Sequence, residues 1–267
     1  MKNFAVLTGT MAGEPHIREG GNNQDACLVS TTDNYIIGVV CDGISAGKHS
    51  QVGASLIAHL VKSCLEWHIA FFGSKPDKET IENMLEYIRD IIIYKLKVII
   101  ETMSTPHRGV HMEDLSFVSN YMIATSLLFV VTKHYYFVAR TGDGVIMIDD
   151  TIHYFDSGER NAPDSLSYGA IREPIPGAGS SIILHSYGET EGLTNLLIGS
   201  DGVGLFNKKA GNDLPDGSCQ GSIMRFFQED RYVKNPLLVQ RQLNKIGHMF
   251  NNRAGDDVTF VGVKRCK

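Results

Sequence analysis

Acidic residues stand at the ends of several short apolar segments of this sequence. Asp42, Asp143 and Asp201 each follow such a segment and each precede a glycine, and Asp256 opens the last segment. If the segments are strands of one core, their ends bring the carboxylates to one edge, where mutual repulsion is costly unless a cation neutralises it. Oxygen ligands without histidine or cysteine favour Mg²⁺, Mn²⁺ or Ca²⁺ over zinc. The pattern predicts a carboxylate metal site, and two such ions would suit the attack of water on phosphorus.

The alternative explanation for each Asp-Gly pair is a turn, because this pair is also a strong turn signal. Asp143 is the most open to this explanation, since it lies between two strand-like segments and would make a two-residue hairpin. Asp216, in another Asp-Gly pair, follows no strand-like segment and is best explained as such a turn. Asp42 and Asp201 are followed by small residues and then by a helix or loop, which favours a functional role.

The strands that must position these residues are predicted from short runs rich in β-branched residues. These runs are 4–7, 35–41, 122–131, 135–139, 145–148, 196–198 and 258–263. Several of them are apolar throughout, which is typical of strands buried on both faces.

Helical periodicity predicts two long helices between the second and third strands and two shorter ones before the last strand. The four ranges are 50–72, 78–103, 218–229 and 236–251, and loops or a flap are expected at 104–119 and 156–179. The connections between consecutive strands are too short for parallel crossovers, so the sheets should be mainly antiparallel with helices on their outer faces. We therefore predict one layered α+β domain that spans residues 1–267.

Composition excludes several other classes of protein. The 267 residues are 43% apolar, enough for one sizeable core, and the formal charge of −5 gives no support for nucleic-acid binding. The five cysteines are widely spaced and never in a Cys-x-x-Cys pair, which favours reduced thiols over zinc or disulfides. No apolar run approaches a membrane span or a signal peptide, so a cytoplasmic protein without membrane contact is expected.

At its acidic motifs the chain resembles the bacterial protein phosphatase 2C family, and in particular a subgroup of small bacterial enzymes. The resemblance covers nearly the whole chain, and the motifs occur in the family's order. They are Asn23-Gln24-Asp25-Ala26, Val40-Cys41-Asp42-Gly43, Ala124-Thr125-Ser126-Leu127, Gly142-Asp143-Gly144, Ser200-Asp201-Gly202 and Gly255-Asp256-Asp257-Val258-Thr259. Gly158-Glu159-Arg160-Asn161 and the segment after Gly43 add to the likeness with the small bacterial subgroup.

The resemblance implies a four-layer α-β-β-α sandwich with two mainly antiparallel sheets and helical pairs outside. It implies hydrolysis of phosphoserine and phosphothreonine in proteins by metal-activated water, with two Mn²⁺ or Mg²⁺ ions and a possible third. Phosphorylated proteins are the expected partners, together with a serine/threonine kinase, and the chain is expected to be a monomer.

The resemblance also implies a role for each acidic residue. Asp42 and Asp201 would be the central catalytic residues: Asp42 would bridge both ions, with the carbonyl of Gly43 on one of them, and Asp201 and Asp256 would complete the other. Asp25 would act through metal-bound water.

Asp143 resembles the residue that, with Asp201, supports the third, more weakly held ion. The chain also departs from the family pattern, because Gly20 stands where most members carry the arginine that binds substrate phosphate. Lys48 and Arg18 are the nearest substitutes in the sequence. His16 and His49 are candidates for the proton donor, since the histidine that eukaryotic members carry after the first Asp-Gly is missing.

Two other functions remain as alternatives. One is a pseudophosphatase or regulatory binding module of the same fold, although retention of all the acidic positions argues against it. The other is a metal phosphohydrolase acting on small phosphate esters, and the loop at 156–179 would decide between small and protein substrates.

Overall fold

Two five-stranded antiparallel sheets form the centre of the structure, a computed structural model that describes residues 1–70, 75–104, 114–156, 163–171, 175–214, 217–248 and 254–266. In chain order the strands are β1 (Phe4–Met11), β2 (Ala26–Thr31), β3 (Tyr35–Cys41), β4 (Ser126–Thr132), β5 (Tyr135–Thr141), β6 (Gly144–Ile148), β7 (Thr151–Phe155), β8 (Ile183–Glu189), β9 (Asn195–Gly199) and β10 (Val258–Arg265). The first sheet has the order β1-β10-β9-β6-β7 and the second has the order β2-β3-β4-β5-β8. The predicted α+β class and the antiparallel sheets are confirmed.

Helices cover the outer face of each sheet. In chain order, the α-helices of the described residues are α1 (Glu14–Glu19), α2 (Ser50–Ile69), α3 (Lys78–Ser104), α4 (Asp114–Tyr121), α5 (Gly202–Lys208), α6 (Arg225–Gln228), α7 (Asp230–Lys234) and α8 (Leu237–Gly247), and the short α1 has no buried residue. Helices α2, α3 and α4 share one buried cluster with the second sheet, and helices α5 to α8 share another with the first sheet. Within the described ranges, no helix combines the length and the apolar character needed to cross a membrane.

A third buried cluster lies between the two sheets. Val40, Phe129, Ile146 and Val261 belong to it, so both sheets contribute. All seven residues of β4 are buried, because helices cover one of its faces and the other sheet covers the opposite face. This double burial explains the continuous apolar runs in the sequence.

The central strands match their predictions more closely than the strands at the sheet edges. Strand β3 begins and ends at the predicted residues, whereas β2, β7 and β8 were not predicted. All three missed strands are terminal in their sheets. An edge strand is partly exposed and carries more polar residues, so it lacks the apolar run on which the prediction depended.

Two helix and loop predictions were wrong in part. Residues 114–121 form α4 inside a predicted loop, since Phe117 and Val118 are buried and give it a core-facing side. The helix predicted at 218–229 begins only at Arg225, because Gly221 takes a left-handed conformation with φ of 76°. Asp216 and residues 158–161 and 249–251, which carried other predictions, lie outside the described residues.

The turn that contains Asp143 is not a hairpin. Strand β5 pairs with β4 and β8 in the second sheet, whereas β6 pairs with β7 and β9 in the first. Gly142, Asp143 and Gly144 therefore carry the chain from one sheet to the other. The two-residue hairpin predicted as the alternative for Asp143 was therefore wrong. The side chain of Asp143 lies where the two sheets meet.

The packing of the two sheets can be tested at Gly38. A methyl group there would lie 2.4 Å from the Phe129 ring and 2.9 Å from Val261, in the layer between the sheets. We expect Gly38→Ala to lower the free energy of unfolding by about 1–3 kcal/mol, as overpacked core substitutions do. Gly192→Ala is the matched control, because a methyl group there meets nothing within 4 Å. Equal urea midpoints for the two variants would contradict this account.

Candidate metal centre

The ends of strands from both sheets converge on one cavity. Asp42 follows β3, Asp201 follows β9, Asp256 precedes β10, and Asp143 lies on the turn that joins the sheets. The cavity has a volume of about 360 Å³. Its described lining consists of Asp42, Gly43, Ile44, Ser45, Ala46, Thr125, Asp143, Pro163, Asp201 and Asp256. The structure thus brings together the acidic residues that the sequence singled out.

Asp25 lies behind this cavity and next to Asp42. Both of its carboxylate oxygens are buried and have no hydrogen-bond partner. Burial, and then the charge of Asp257, raise the pKa of Asp25 to about 7, although the nearby Ser200, Asp42 and Thr259 side chains lower it in part. A buried carboxylate without a donor is costly for the fold unless a positive charge compensates it.

The other carboxylates are also held in an unfavourable state. Burial raises the pKa of Asp42 well above its usual range, and the charges of Asp25, Asp201 and Asp256 raise it further. Burial and the neighbouring Asp201 raise the pKa of Asp256 in the same direction. A group of oxygen donors that repel each other in a buried place fits a divalent cation with hard-ligand preference.

Backbone hydrogen bonds hold Asp42 in place. The hydroxyl of Thr125 accepts a bond of 3.2 Å from the Asp42 N–H, and the Thr125 N–H donates to the Asp42 carbonyl at 2.8 Å. Gly43 forms an isolated antiparallel bridge with Ala124. Thr125 therefore extends the pairing of β3 and β4 by one step, so that the first Asp-Gly motif cannot move away from the sheet.

Similar bonds hold Asp25 and the strand ends next to Asp201 and Asp256. The side chain of Asn23 accepts a bond of 2.8 Å from the Asp25 N–H and donates to the Thr10 hydroxyl at 2.8 Å. The hydroxyl of Ser200 accepts a bond of 3.0 Å from the Thr259 N–H, which fixes the end of β9 against the start of β10. These contacts connect strands of both sheets to the centre.

Asp257 is a structural residue that the sequence reasoning missed. It is 2% exposed, and its carboxylate accepts hydrogen bonds from the Gly13 N–H at 2.7 Å, the Gln24 N–H at 2.5 Å and the His16 Nδ1 at 2.8 Å. It therefore binds the segment that carries α1 to the start of β10. The signal in the sequence was the second acidic residue of the Asp256-Asp257 pair.

His16 is held close to the acidic cluster. Burial lowers its pKa, but the hydrogen bond that its ring donates to Asp257 and the charges of Asp257, Asp256 and Asp25 together raise the pKa above its usual value. One nitrogen of His16 and one oxygen each of Asp256 and Asp257 lie within 4.8 Å of one another. Since the Asp257 oxygens already accept three protein donors, we assign Asp257 to support of the centre.

The two proposed substitutes for the missing arginine lie outside the cavity lining. Arg18, which is 68% exposed, forms an ion pair with Glu14 on α1. Lys48 is exposed and follows Ser45 and Ala46, which do line the cavity. Gly20 ends α1 in a left-handed conformation with φ of 70°. The structure therefore places Lys48 on the loop that borders the cavity and Arg18 on the surface of α1.

A sandwich of two antiparallel sheets with outer helices and an acidic cavity at one edge is the architecture of metal-dependent protein phosphatases. The model of the family described as Protein phosphatase 2C matches residues 12–235 of the chain. The chain belongs to this family, whose members are phosphoric monoester hydrolases.

Solved structures show the same fold. A bacterial serine phosphatase carrying one substitution has 17% sequence identity, with 98% of each chain covered and a TM-score of 0.60. Serine/threonine phosphatase Stp1 from Staphylococcus aureus has 16% identity over 97% of this chain and 94% of its own, with a TM-score of 0.54. The catalytic domain of serine threonine protein phosphatase PstP, solved with two manganese ions, has 14% identity over 99% of each chain, with a TM-score of 0.53. Comparison with curated protein sequences finds no significant match.

The raised pKa of Asp25 predicts how the metal-free protein responds to pH. A group whose pKa is higher in the folded state contributes its full stability below the unfolded pKa, and loses it as pH rises through the folded pKa. Stability from Asp25 should therefore fall from about pH 4 to about pH 7. In the presence of a chelator, we expect Asp25→Asn to be more stable than the parent at pH 8, with the difference gone at about pH 4.

Urea unfolding of both proteins across this pH range measures the difference directly. Asp33→Asn is the matched control, because Asp33 is exposed in the connection between β2 and β3, at the opposite end of these strands from Asp25 and Asp42. A constant difference between Asp25→Asn and the parent at every pH would contradict the electrostatic account.

Proposed function

We propose that this chain hydrolyses phosphoserine and phosphothreonine in proteins, with Mn²⁺ or Mg²⁺ held by the acidic centre. The observation that carries the proposal is the Asp25 carboxylate, which is buried without a hydrogen-bond partner beside Asp42, whose pKa burial also raises. The carboxylates of this centre lack a positive charge that would compensate their own. Two divalent cations would supply it, act as Lewis acids toward the phosphoryl group and activate water at neutral pH.

The ligand set follows from position in the cavity and from the family likeness. Asp42 would be shared between two ions, the carbonyl of Gly43 would serve one of them, and Asp201 and Asp256 would serve the other. Asp25 would act through water. The two manganese ions of the PstP catalytic domain support this number of ions.

Asp143 would take part, with Asp201, in holding a third and weaker ion. Its position on the turn between the sheets supports this role, because the turn borders the same cavity as Asp201. Residues 1–267 would act as one catalytic domain.

His16 is the better placed of the two candidate proton donors. Its Nδ1–H donates to Asp257, so the other ring nitrogen, Nε2, remains to hold the proton that the leaving alkoxide needs. His49 instead stacks on Tyr121, with ring centroids 5.2 Å apart. We therefore assign protonation of the leaving group to His16.

A pseudophosphatase explains the site less well. A binding module has no need to bury carboxylates that repel each other, and neutral residues at Asp25 or Asp42 would stabilise its fold. The family membership and the intact acidic cluster together favour an active enzyme.

The function can be tested with a phosphothreonine peptide. We expect release of phosphate that requires added Mn²⁺ or Mg²⁺ and stops with a chelator. Asp42→Asn and Asp201→Ala should each lower kcat by more than about 100-fold, since substitution of a residue that only contacts a metal ligand can already lower activity by about that factor. Turnover that survives chelation and dialysis would exclude the mechanism.

Asp150→Ala is the control for these variants. Asp150 is an exposed acidic residue in the turn between β6 and β7, at the far end of the first sheet. Its substitution should leave kcat unchanged. An effect as large as that of Asp42→Asn would show that loss of any acidic residue impairs the enzyme.

Capture of the substrate phosphate is the role we propose for Lys48. Lys48 lies on the loop between Gly43 and α2, and the N-terminal amides of α2 add to the attraction for an anion. A lysine attracts phosphate as a point charge and does not fix its orientation as arginine does. Lys48→Ala should therefore raise KM more than it lowers kcat, at a cost of about 1–3 kcal/mol in kcat/KM.

Steady-state kinetics on the phosphopeptide provide the measurement, with Arg18→Ala as the parallel variant. Arg18 is already paired with Glu14, so a smaller effect is expected there. Unchanged kinetics in both variants would mean that the metal ions alone bind the phosphate.

A further inference from the structure

The segment 156–182, here called the flap, connects the edge strands of the two sheets at the cavity end. Strand β7 ends at Phe155 and β8 begins at Ile183, so both stems of the flap emerge beside the turn that carries Asp143. Pro163 of the flap lines the cavity. The side chains that lie between the two ends of the flap, next to Phe155 and Ile183, therefore determine how the flap is connected to the metal centre.

A β-bulge in β8 directs a histidine into the space between the sheets. Val138 pairs with Ser186 and Ala139 pairs with Leu184, so His185 has no residue opposite it. Its ring lies 4.9 Å from that of His153 and 5.2 Å from that of Phe155, both at edge-to-face angles. Bulges of this kind re-aim a side chain and are frequent beside active sites.

Arg140 completes this cluster from β5. Its guanidinium lies over the Phe155 ring, 4.2 Å from the centroid, and its Nη1 donates a hydrogen bond of 2.6 Å to the Gly142 carbonyl. Its Nε is buried without a hydrogen-bond partner. The side chain thus joins a flap stem on one side to the turn before Asp143 on the other.

The turn itself has little freedom. Gly142 has φ of 86°, and a methyl group on it would lie 2.6 Å from the carbonyl oxygen of Asp164 in the flap. The adjacent Thr141 hydroxyl donates to the Ser181 carbonyl at 2.9 Å. Because the left-handed Gly142 is held by Arg140 from one side and by the flap from the other, the direction of Asp143 depends on both contacts.

We propose that Arg140 is a positioning residue for the metal centre. It holds Asp143 toward the cations and connects the base of the flap to the centre. This inference rests on the proposed function. The charge of the cluster is consistent with it: burial lowers the pKa of His185, and His153 and Arg140 lower it further, so the imidazole is neutral beside the guanidinium at neutral pH.

Binding of Mn²⁺ to the metal-free chain tests the role without relying on turnover. In calorimetric titrations, Arg140→Met should weaken the weakest class of Mn²⁺ sites by about 10-fold, the loss typical of residues that orient a metal ligand. Arg140→Lys keeps a cation and a donor and should give an intermediate affinity. Phe155→Leu, which removes the ring under the guanidinium, should change the affinity in the same direction.

Arg265→Met is the matched control. Arg265 also lies over an aromatic ring, that of Phe4 at 4.6 Å, and also donates to backbone carbonyls, but it ends β10 at the side of the sheet away from the cavity. Its substitution should leave Mn²⁺ binding unchanged.

Three results would overturn the inference. If the parent chain binds no Mn²⁺, the proposed function fails and the inference fails with it. If the parent binds Mn²⁺ but Arg140→Met and Arg140→Lys bind it with the parent's affinity, or if Arg265→Met weakens binding as much as Arg140→Met, the positioning role alone is wrong. Weakening in the Arg140 variants and not in Arg265→Met supports it.

Discussion

The repulsion among buried carboxylates at one edge is the constraint on which the rest of the structure depends. Raising the pKa of Asp25 from its usual value to about 7 corresponds to several kcal/mol of unfavourable interaction. Each fully buried aliphatic side chain contributes about 1.5–3 kcal/mol in the opposite direction. The strands that end at these residues, β3, β9 and β10, are almost wholly buried, so a few core side chains in each strand offset the cost.

The packing of the two sheets is part of the site. Asp25 and Asp42 come from the second sheet, whereas Asp201 and Asp256 come from the first. A shift of one sheet over the other would separate these pairs and open the cavity. The turn at Asp143 joins the two sheets directly, and the hydrogen bonds of Asp257 link segments that are distant in the chain, so both hold the two halves of the site in register.

The parts of the fold that follow from local pattern could be predicted, and those that depend on tertiary partners could not. Strand β3 was predicted to the residue because both of its faces are buried, but β7 and β8 are only partly buried and their sequences lack a continuous apolar run. The acidic motifs indicated the site. The sequence also allowed a hairpin at Asp143, because no local pattern indicates that β5 and β6 belong to different sheets.

The departure at Gly20 has a structural cause in α1. The helix ends there with φ of 70°, a conformation that an arginine adopts only with strain, and the N–H groups of Gly20 and Gly21 bond back to the carbonyls of Ile17 and His16. The start of the same helix is fixed by the bond from the Gly13 N–H to Asp257. Asp257 thus binds the start of α1 through Gly13 and its middle through His16, while the left-handed Gly20 ends the same helix. The cation proposed above for substrate phosphate, Lys48, lies on a different segment, the loop between Gly43 and α2.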